Sequence, residues 1–216
     1  MTSIILNKKI SSKNSYSLKE GKKGGKFPIV SDVMFHVMFN NESRIKYISY
    51  LISLVLDISY EEILNKIHFV KNNIDRKNYY NPSKTVDLLC EIDEKYYNIE
   101  INNNGSVSSL ERNISYASDI YKSKMKIGEK YNYVYTIQIN INNFTFKGKE
   151  DVIEKFNLRN EKGEILTNKL TFYYIYLPKI REKYYTKGEK KLSMMEKMFL
   201  VLNGETKDNF KELLGG

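Results

Sequence analysis

The run Thr85-Val-Asp-Leu-Leu-Cys-Glu-Ile92, followed by Asp93-Glu94 and then by Lys95-Tyr-Tyr-Asn-Ile-Glu-Ile-Asn102, has the form of a β-hairpin. Both arms alternate with period two, the pattern of half-buried strands. One face carries Val86, Leu88, Cys90 and Ile92 with Tyr97, Ile99 and Ile101; the other carries Thr85, Asp87, Leu89 and Glu91 with Tyr96, Asn98, Glu100 and Asn102. If Asp93-Glu94 is the turn, Ile92 pairs with Lys95, and counting outward sets Asp87 opposite Glu100. A four-residue loop from Ile92 to Lys95 keeps that register, whereas a three-residue loop makes the two acids diagonal neighbours. Asp-Glu is not among the favoured two-residue hairpin turns. Directly paired side chains have Cβ atoms about 4.5–5.5 Å apart, and like charges there are destabilising. A cation between them resolves the conflict. It is either a divalent ion on oxygen ligands, of which Mg²⁺ is the usual case, or a lysine or arginine on a solvated sheet face.

At 216 residues, with 41% apolar residues and 18 tyrosines, the chain is long enough for one domain with a real core. No apolar run approaches the ~20 residues that cross a bilayer; the longest lies near Tyr47–Leu56. The first residues lack the apolar stretch of a signal peptide. The single cysteine, Cys90, falls on the apolar face of its strand, where a buried thiol is expected rather than a disulfide or a nucleophile. These features give the expectation of a cytoplasmic protein without membrane segments.

The net charge of +9 suits a polyanion such as nucleic acid. Only five of the 35 basic residues are arginine, a usage that an AT-rich genome also produces. The distribution says more. Seven lysines (Lys8, Lys9, Lys13, Lys19, Lys22, Lys23, Lys26) against Glu20 give the first 26 residues +6 of the +9. Residues 1–27 therefore read as a basic flexible arm, either tracking phosphates or simply solvated. Residues 28–216 read as one domain.

Around the hairpin, helices are expected from Ser31 through Met38, over Glu42–Asp57 with Ile45, Ile48, Ile52, Val55 and Leu56 on one stripe, and at Tyr60–Lys66. After Asn104-Gly105, Ser108 and Glu111 have capping-box spacing. The helix they open presents Leu110, Ile114, Ala117 and Tyr121 inward and ends near Gly128. Tyr131–Ile139 reads as a strand, and the strand–helix–strand order implies a right-handed crossover between parallel strands. Phe144–Thr167 reads as irregular with a short helix near Asp151–Phe156, and Leu170–Leu177 as a further strand. Ser193 and Glu196 mark a second capping box, opening a helix to Asn203. The class is α/β, with helices flanking a small mixed sheet.

Asp87, followed thirteen residues later by Glu100-Ile101-Asn102, resembles the core of the PD-(D/E)XK nuclease superfamily. The closer similarity is to the recombination-promoting nuclease (Rpn) and PDDEXK-type transposase group. The pieces are Asp32-Val-Met-Phe35-His36-Val-Met-Phe39, Lys84-Thr-Val-Asp87-Leu, Asn98-Ile-Glu100-Ile-Asn102 and Arg112-Asn-Ile-Ser-Tyr116, with Gly128-Glu-Lys-Tyr131 and Leu177-Pro178-Lys179 beyond. The similarity runs from about Ser31 to about Leu214. It implies a restriction-endonuclease-like core with α-β-β-β-α-β order and a Mg²⁺-dependent DNA endonuclease (Mn²⁺ as an alternative) associated with recombination or mobile elements. It also implies catalytic roles for Asp87, Glu100 and Asn102, and a metal held by Asp87, Glu100 and the Ile101 carbonyl. Lys84, Arg112 and Tyr116 become candidates for the substrate, with core packing the alternative for Tyr116. Asp32 either approaches the metal, as an acid there does in some relatives, or caps its helix.

Two positions depart from the pattern. The residue after Glu-x is usually Gln in the group and Lys in the wider superfamily, where here it is Asn102; His36 replaces the group's Lys. Asn forms hydrogen bonds but cannot act as a base at neutral pH, so positive charge must come from elsewhere. Strict alternation puts Lys84 on the wrong face, which leaves Arg112, one helical turn from Tyr116, as the better source. A rival reading follows: a nuclease fold without cleavage, binding nucleic acid or docking on a nucleoprotein complex as an inhibitor encoded by a mobile element. RNA in place of DNA is a further alternative, and relatives that cut both strands pair as homodimers. No Cys-x-x-Cys, His-x-x-x-His or phosphate-loop pattern points to other chemistry.

Overall fold

The hairpin forms in the register of a two-residue turn. The computed structural model describes Phe35, Phe39 and residues 42–70, 86–123 and 133–204. Its strands are β1 (His68–Phe69), β2 (Leu88–Ile92), β3 (Lys95–Asn102), β4 (Tyr135–Asn142), β5 (Ile153–Arg159) and β6 (Ile165–Tyr176). The helices are α1 (Ile45–Leu56), α2 (Tyr60–Leu64), α3 (Val107–Tyr121), α4 (Leu177–Lys187) and α5 (Met194–Leu202). Ile92 pairs with Lys95 and Leu88 with Ile99. Asp93 and Glu94 both take positive φ, 48° and 60°, the geometry of a type I′ turn whose twist matches the strands it joins. A Lys66–Asp93 ion pair of 2.7 Å ties the turn to the end of α2.

One six-stranded mixed sheet results, in the order β1-β2-β3-β4-β6-β5. β3, β4 and β6 run parallel in its centre; β2 and β5 flank them antiparallel. The crossover through α3 joins two parallel neighbours, as the strand–helix–strand order requires. The larger core lies on one face, where Cys90, Ile99, Ile101, Ile139, Ile141 and Ile175 meet Ile48, Leu51 and Ile52 of α1 and Met198 and Phe199 of α5. Cys90 is fully buried there, and burial pushes its thiol far above the ordinary range. Helix α3 covers the opposite face. Among the described residues no helix is long and apolar enough to cross a membrane.

Several local expectations are corrected. Val86 does not share a face with Leu88. The chain bends at Asp87, and Val86 joins Leu89, Tyr96, Ile120 and Val134 in a smaller cluster under α3. The cap of α3 is Ser106, whose hydroxyl accepts from Ser109 N–H at 3.1 Å, rather than Ser108. Its inner face is Asn113, Ala117 and Ile120, while Ile114 is 45% exposed. The helix stops at Tyr121, not near Gly128, because the Tyr121 carbonyl accepts from Val134 N–H and its ring stacks on Tyr133. The stretch read as irregular with a short helix is strand β5, paired with β6 through a turn in which Asn160 Oδ1 accepts from Lys162 and Glu164 N–H and Gly163 takes φ 85°. The box at Ser193 and Glu196 is present as expected. Of the expected helix from Ser31 through Met38 only Phe35 is described, and it is helical; Asp32, His36, the arm over residues 1–27 and the end near Leu214 lie outside the described residues.

Gly105, between β3 and α3, is a point of close approach. A Cβ there would fall within 3 Å of the Phe144 ring. That ring cannot swing aside freely, since it stands edge-on to Phe146 at 5.1 Å, which packs in turn on Tyr174 and Tyr176. Gly105→Ala is expected to destabilise the protein by about 1–3 kcal/mol, read as a fall in the thermal midpoint. A midpoint unchanged within error would show that the loop yields without cost.

Candidate functional site

The acids of the hairpin meet where β2 frays. At the bend, Asp87 N–H donates to Glu100 Oε1 at 3.2 Å. The Asp87 carboxylate turns along the strand edge, where Oδ2 accepts from Ile101 N–H at 2.8 Å, a ladder bond that β2 does not supply past Leu88. A residue in an extended strand sends its N–H and C=O to the same edge, so the Ile101 carbonyl leaves β3 on the Asp87 side. The two carboxylates thus stand at one end of the hairpin, with the Ile101 carbonyl on the strand edge that faces Asp87.

Glu100 is 2% exposed. Burial raises its pKa well above the ordinary carboxylate range, and the negative charge of Asp87 adds to the rise. Hydrogen bonds from Asp87 N–H and the Asn98 amide, and the more distant Arg112 guanidinium, offset this in part. A buried carboxylate beside a second carboxylate keeps its charge at a large desolvation cost unless a cation joins it. The donor set fits Mg²⁺ or Mn²⁺, which favour oxygen ligands, and Mg²⁺ commonly takes one or two carboxylates and fills its shell with water and phosphate. Among the described residues there is no group of three or more His, Cys, Asp or Glu placed to hold a metal ion.

The other expected residues fall around this pair. Asn102 is 1% exposed at the end of β3. Its Oδ1 accepts from Arg112 Nη2 of α3 at 2.8 Å, so a guanidinium reaches the position where a lysine would stand. Tyr116, one turn further along α3, is half-buried. Burial raises its phenol pKa, the Glu100 charge raises it further, Arg112 lowers it and Asp87 raises it, which places the ring within the field of the whole site. Lys84 lies outside the described residues.

A row of polar side chains beneath α3 was not anticipated. On β4, Thr136, Gln138, Asn140 and Asn142 all point to the face that holds Glu100, and all are buried. They stand beside Tyr96, Asn98, Glu100 and Asn102 in register. The pattern was visible in Tyr135-Thr-Ile-Gln-Ile-Asn-Ile-Asn142, because central parallel strands normally read as continuous apolar runs. Alternation in such a strand marks a buried polar face.

A model of the family described as PD-(D/E)XK nuclease family transposase matches residues 29–214. No curated protein and no solved structure matches the chain.

Proposed function

The chain belongs to the PD-(D/E)XK nuclease family transposases, and from that premise we propose that it is a divalent-metal-dependent endonuclease that hydrolyses DNA phosphodiester bonds. The observation that carries this reading is the juxtaposition of Asp87 and Glu100 at the end of the hairpin, linked by the 3.2 Å contact from Asp87 N–H to Glu100 Oε1. Asp87, Glu100 and the Ile101 carbonyl would hold Mg²⁺ or Mn²⁺, which when bound offsets charge on the scissile phosphate and lowers the pKa of water. Arg112, exposed on α3 and anchored at its tip by Asn102, presents a fixed guanidinium to a phosphate oxygen. Asn102 takes no proton; its part is to hold that guanidinium. Tyr116 supplies a hydroxyl within reach of the same field, Lys84 a further cation entering the hairpin, and the lysines of residues 1–27 a basic arm that follows the phosphate backbone.

Supercoiled plasmid incubated with the protein and Mg²⁺ or Mn²⁺ should be nicked, chelation should stop the reaction, and Asp87→Ala should reduce it at least a hundredfold. Metal-dependent cleavage of RNA but not of plasmid would move the substrate class. Asn102 favours a second reading, a nuclease fold kept for binding, since the position lacks the lysine of the wider superfamily. Tight DNA binding without cleavage under any divalent ion, unchanged in Asp87→Ala, would establish that second reading instead.

A further inference from the structure

Three buried amides run from the main chain of β6 to Glu100. The Asn140 amide donates from Nδ2 to the Tyr173 carbonyl at 3.3 Å. Its Oδ1 accepts from Gln138 Nε2 at 3.0 Å. Gln138 Oε1 accepts from Asn98 Nδ2 at 2.8 Å, and the same Asn98 nitrogen lies 3.2 Å from Glu100 Oε1. Asn98, Gln138 and Asn140 are each 0% exposed.

The direction of this row is set at its far end. A backbone carbonyl only accepts, so Asn140 must turn its NH₂ toward Tyr173 and its oxygen toward Gln138. Gln138 must then present NH₂ to Asn140 and oxygen to Asn98. Asn98 is left one orientation, with NH₂ toward Gln138 and Glu100. It takes that orientation although its own Oδ1 is then buried without a hydrogen-bond partner, a loss of about 1–3 kcal/mol. A sheet face that only needed to pack would use apolar side chains here, with no amides to satisfy. Among the described residues, both hydrogen bonds to the Glu100 carboxylate fall on Oε1, from Asp87 N–H and Asn98.

Resting on the metal reading above, we propose that Asn98, Gln138 and Asn140 are positioning residues. They form a directional amide relay, anchored on the Tyr173 carbonyl, that pins Glu100 Oε1 and thereby aims Oε2 at the divalent ion. None of the three touches substrate. Outer-shell partners of metal ligands typically account for about 10–100-fold in metal affinity or activity.

The test is Mn²⁺ binding to the full chain by calorimetry, without DNA, for wild type, Glu100→Gln, Gln138→Met and Asn140→Leu, with thermal midpoints recorded alongside. Gln138→Met is expected to weaken Mn²⁺ at least tenfold, and Asn140→Leu to weaken it by a smaller but measurable factor. Asn140→Leu removes only the anchor and leaves the direct contacts of Glu100 in place, so it carries the test where Gln138→Met fails to fold. A purely structural row would lower the midpoints and leave the Mn²⁺ constant of the folded protein unmoved. Loss of Mn²⁺ in Glu100→Gln with wild-type affinity in both relay variants overturns the relay alone. A wild-type protein with no Mn²⁺ affinity overturns the metal reading and the relay with it.

Discussion

Glu100→Gln should eliminate metal-dependent cleavage and, at the same time, make the metal-free protein more stable at pH 8. Both effects follow from one carboxylate. In the fold, burial and the neighbouring Asp87 raise the Glu100 pKa from the ordinary 4.5 to about 8. The folded state therefore binds a proton that the unfolded state has released over that interval. This group's contribution to stability is complete below pH ~4.5 and is lost as pH rises through the folded value. Glutamine keeps an oxygen for Asp87 N–H and Asn98 but carries no charge, so at pH 8 the variant should gain on the order of 1–3 kcal/mol. That gain is equivalent to a midpoint rise of roughly 2–4 °C per kcal/mol for a chain of this size. Mn²⁺ should reverse the ranking, raising the midpoint of wild type and leaving Glu100→Gln where it was. Thermal melts at pH 5 and pH 8, with and without Mn²⁺, read all of this. A Glu100→Gln midpoint below wild type at pH 8 without metal would mean that the carboxylate pair is neutralised by some other group and is not a metal site.

Arg112→Ala should lower cleavage by about 10²–10³-fold, the usual loss when one preorganised charge partner of the transition state is removed. It should also lower stability by about 1–3 kcal/mol, because it leaves the buried Asn102 Oδ1 without its donor. The informative partner is Asn102→Lys. Asn102 is 1% exposed with the Arg112 guanidinium at its Oδ1, so a lysine added to wild type meets a like charge and should not raise activity. In the Arg112→Ala background that conflict is gone. The lysine then occupies the superfamily position directly, and the double variant should recover to within about tenfold of wild type. Plasmid nicking under single-turnover conditions measures the cycle. An Arg112→Ala protein that cuts like wild type, or a double variant no better than Arg112→Ala, would show that this guanidinium does not stand in for the missing lysine.

The hairpin explains why half of the site was legible in sequence. A two-residue turn fixes the pairing of its arms, so the meeting of Asp87 with Glu100 depends on residues only thirteen apart. Alternation needs no knowledge of the rest of the chain, although it misplaced Val86, because the bend that frees Asp87 to reach Ile101 N–H also rotates the residue before it. Capping chemistry is equally local where it was read correctly, at Ser193 and Glu196. It failed at α3, where Ser106 and Ser108 compete within two residues and backbone geometry decides between them.

What the amino-acid order determined by itself was the α/β class, the hairpin, its carboxylate pair and the helix that follows. Each of these rests on period, turn and cap, which are short-range. Tertiary structure alone decided that Arg112 lands on Asn102 and that Gln138 and Asn140 line up with Asn98 and Glu100. Those contacts depend on the parallel register of β3 with β4 and on the rotation of α3 about its axis. Both are set by how the buried faces pack across a crossover of some thirty residues, where a one-residue change of helix face turns Asn113 inward and Ile114 out.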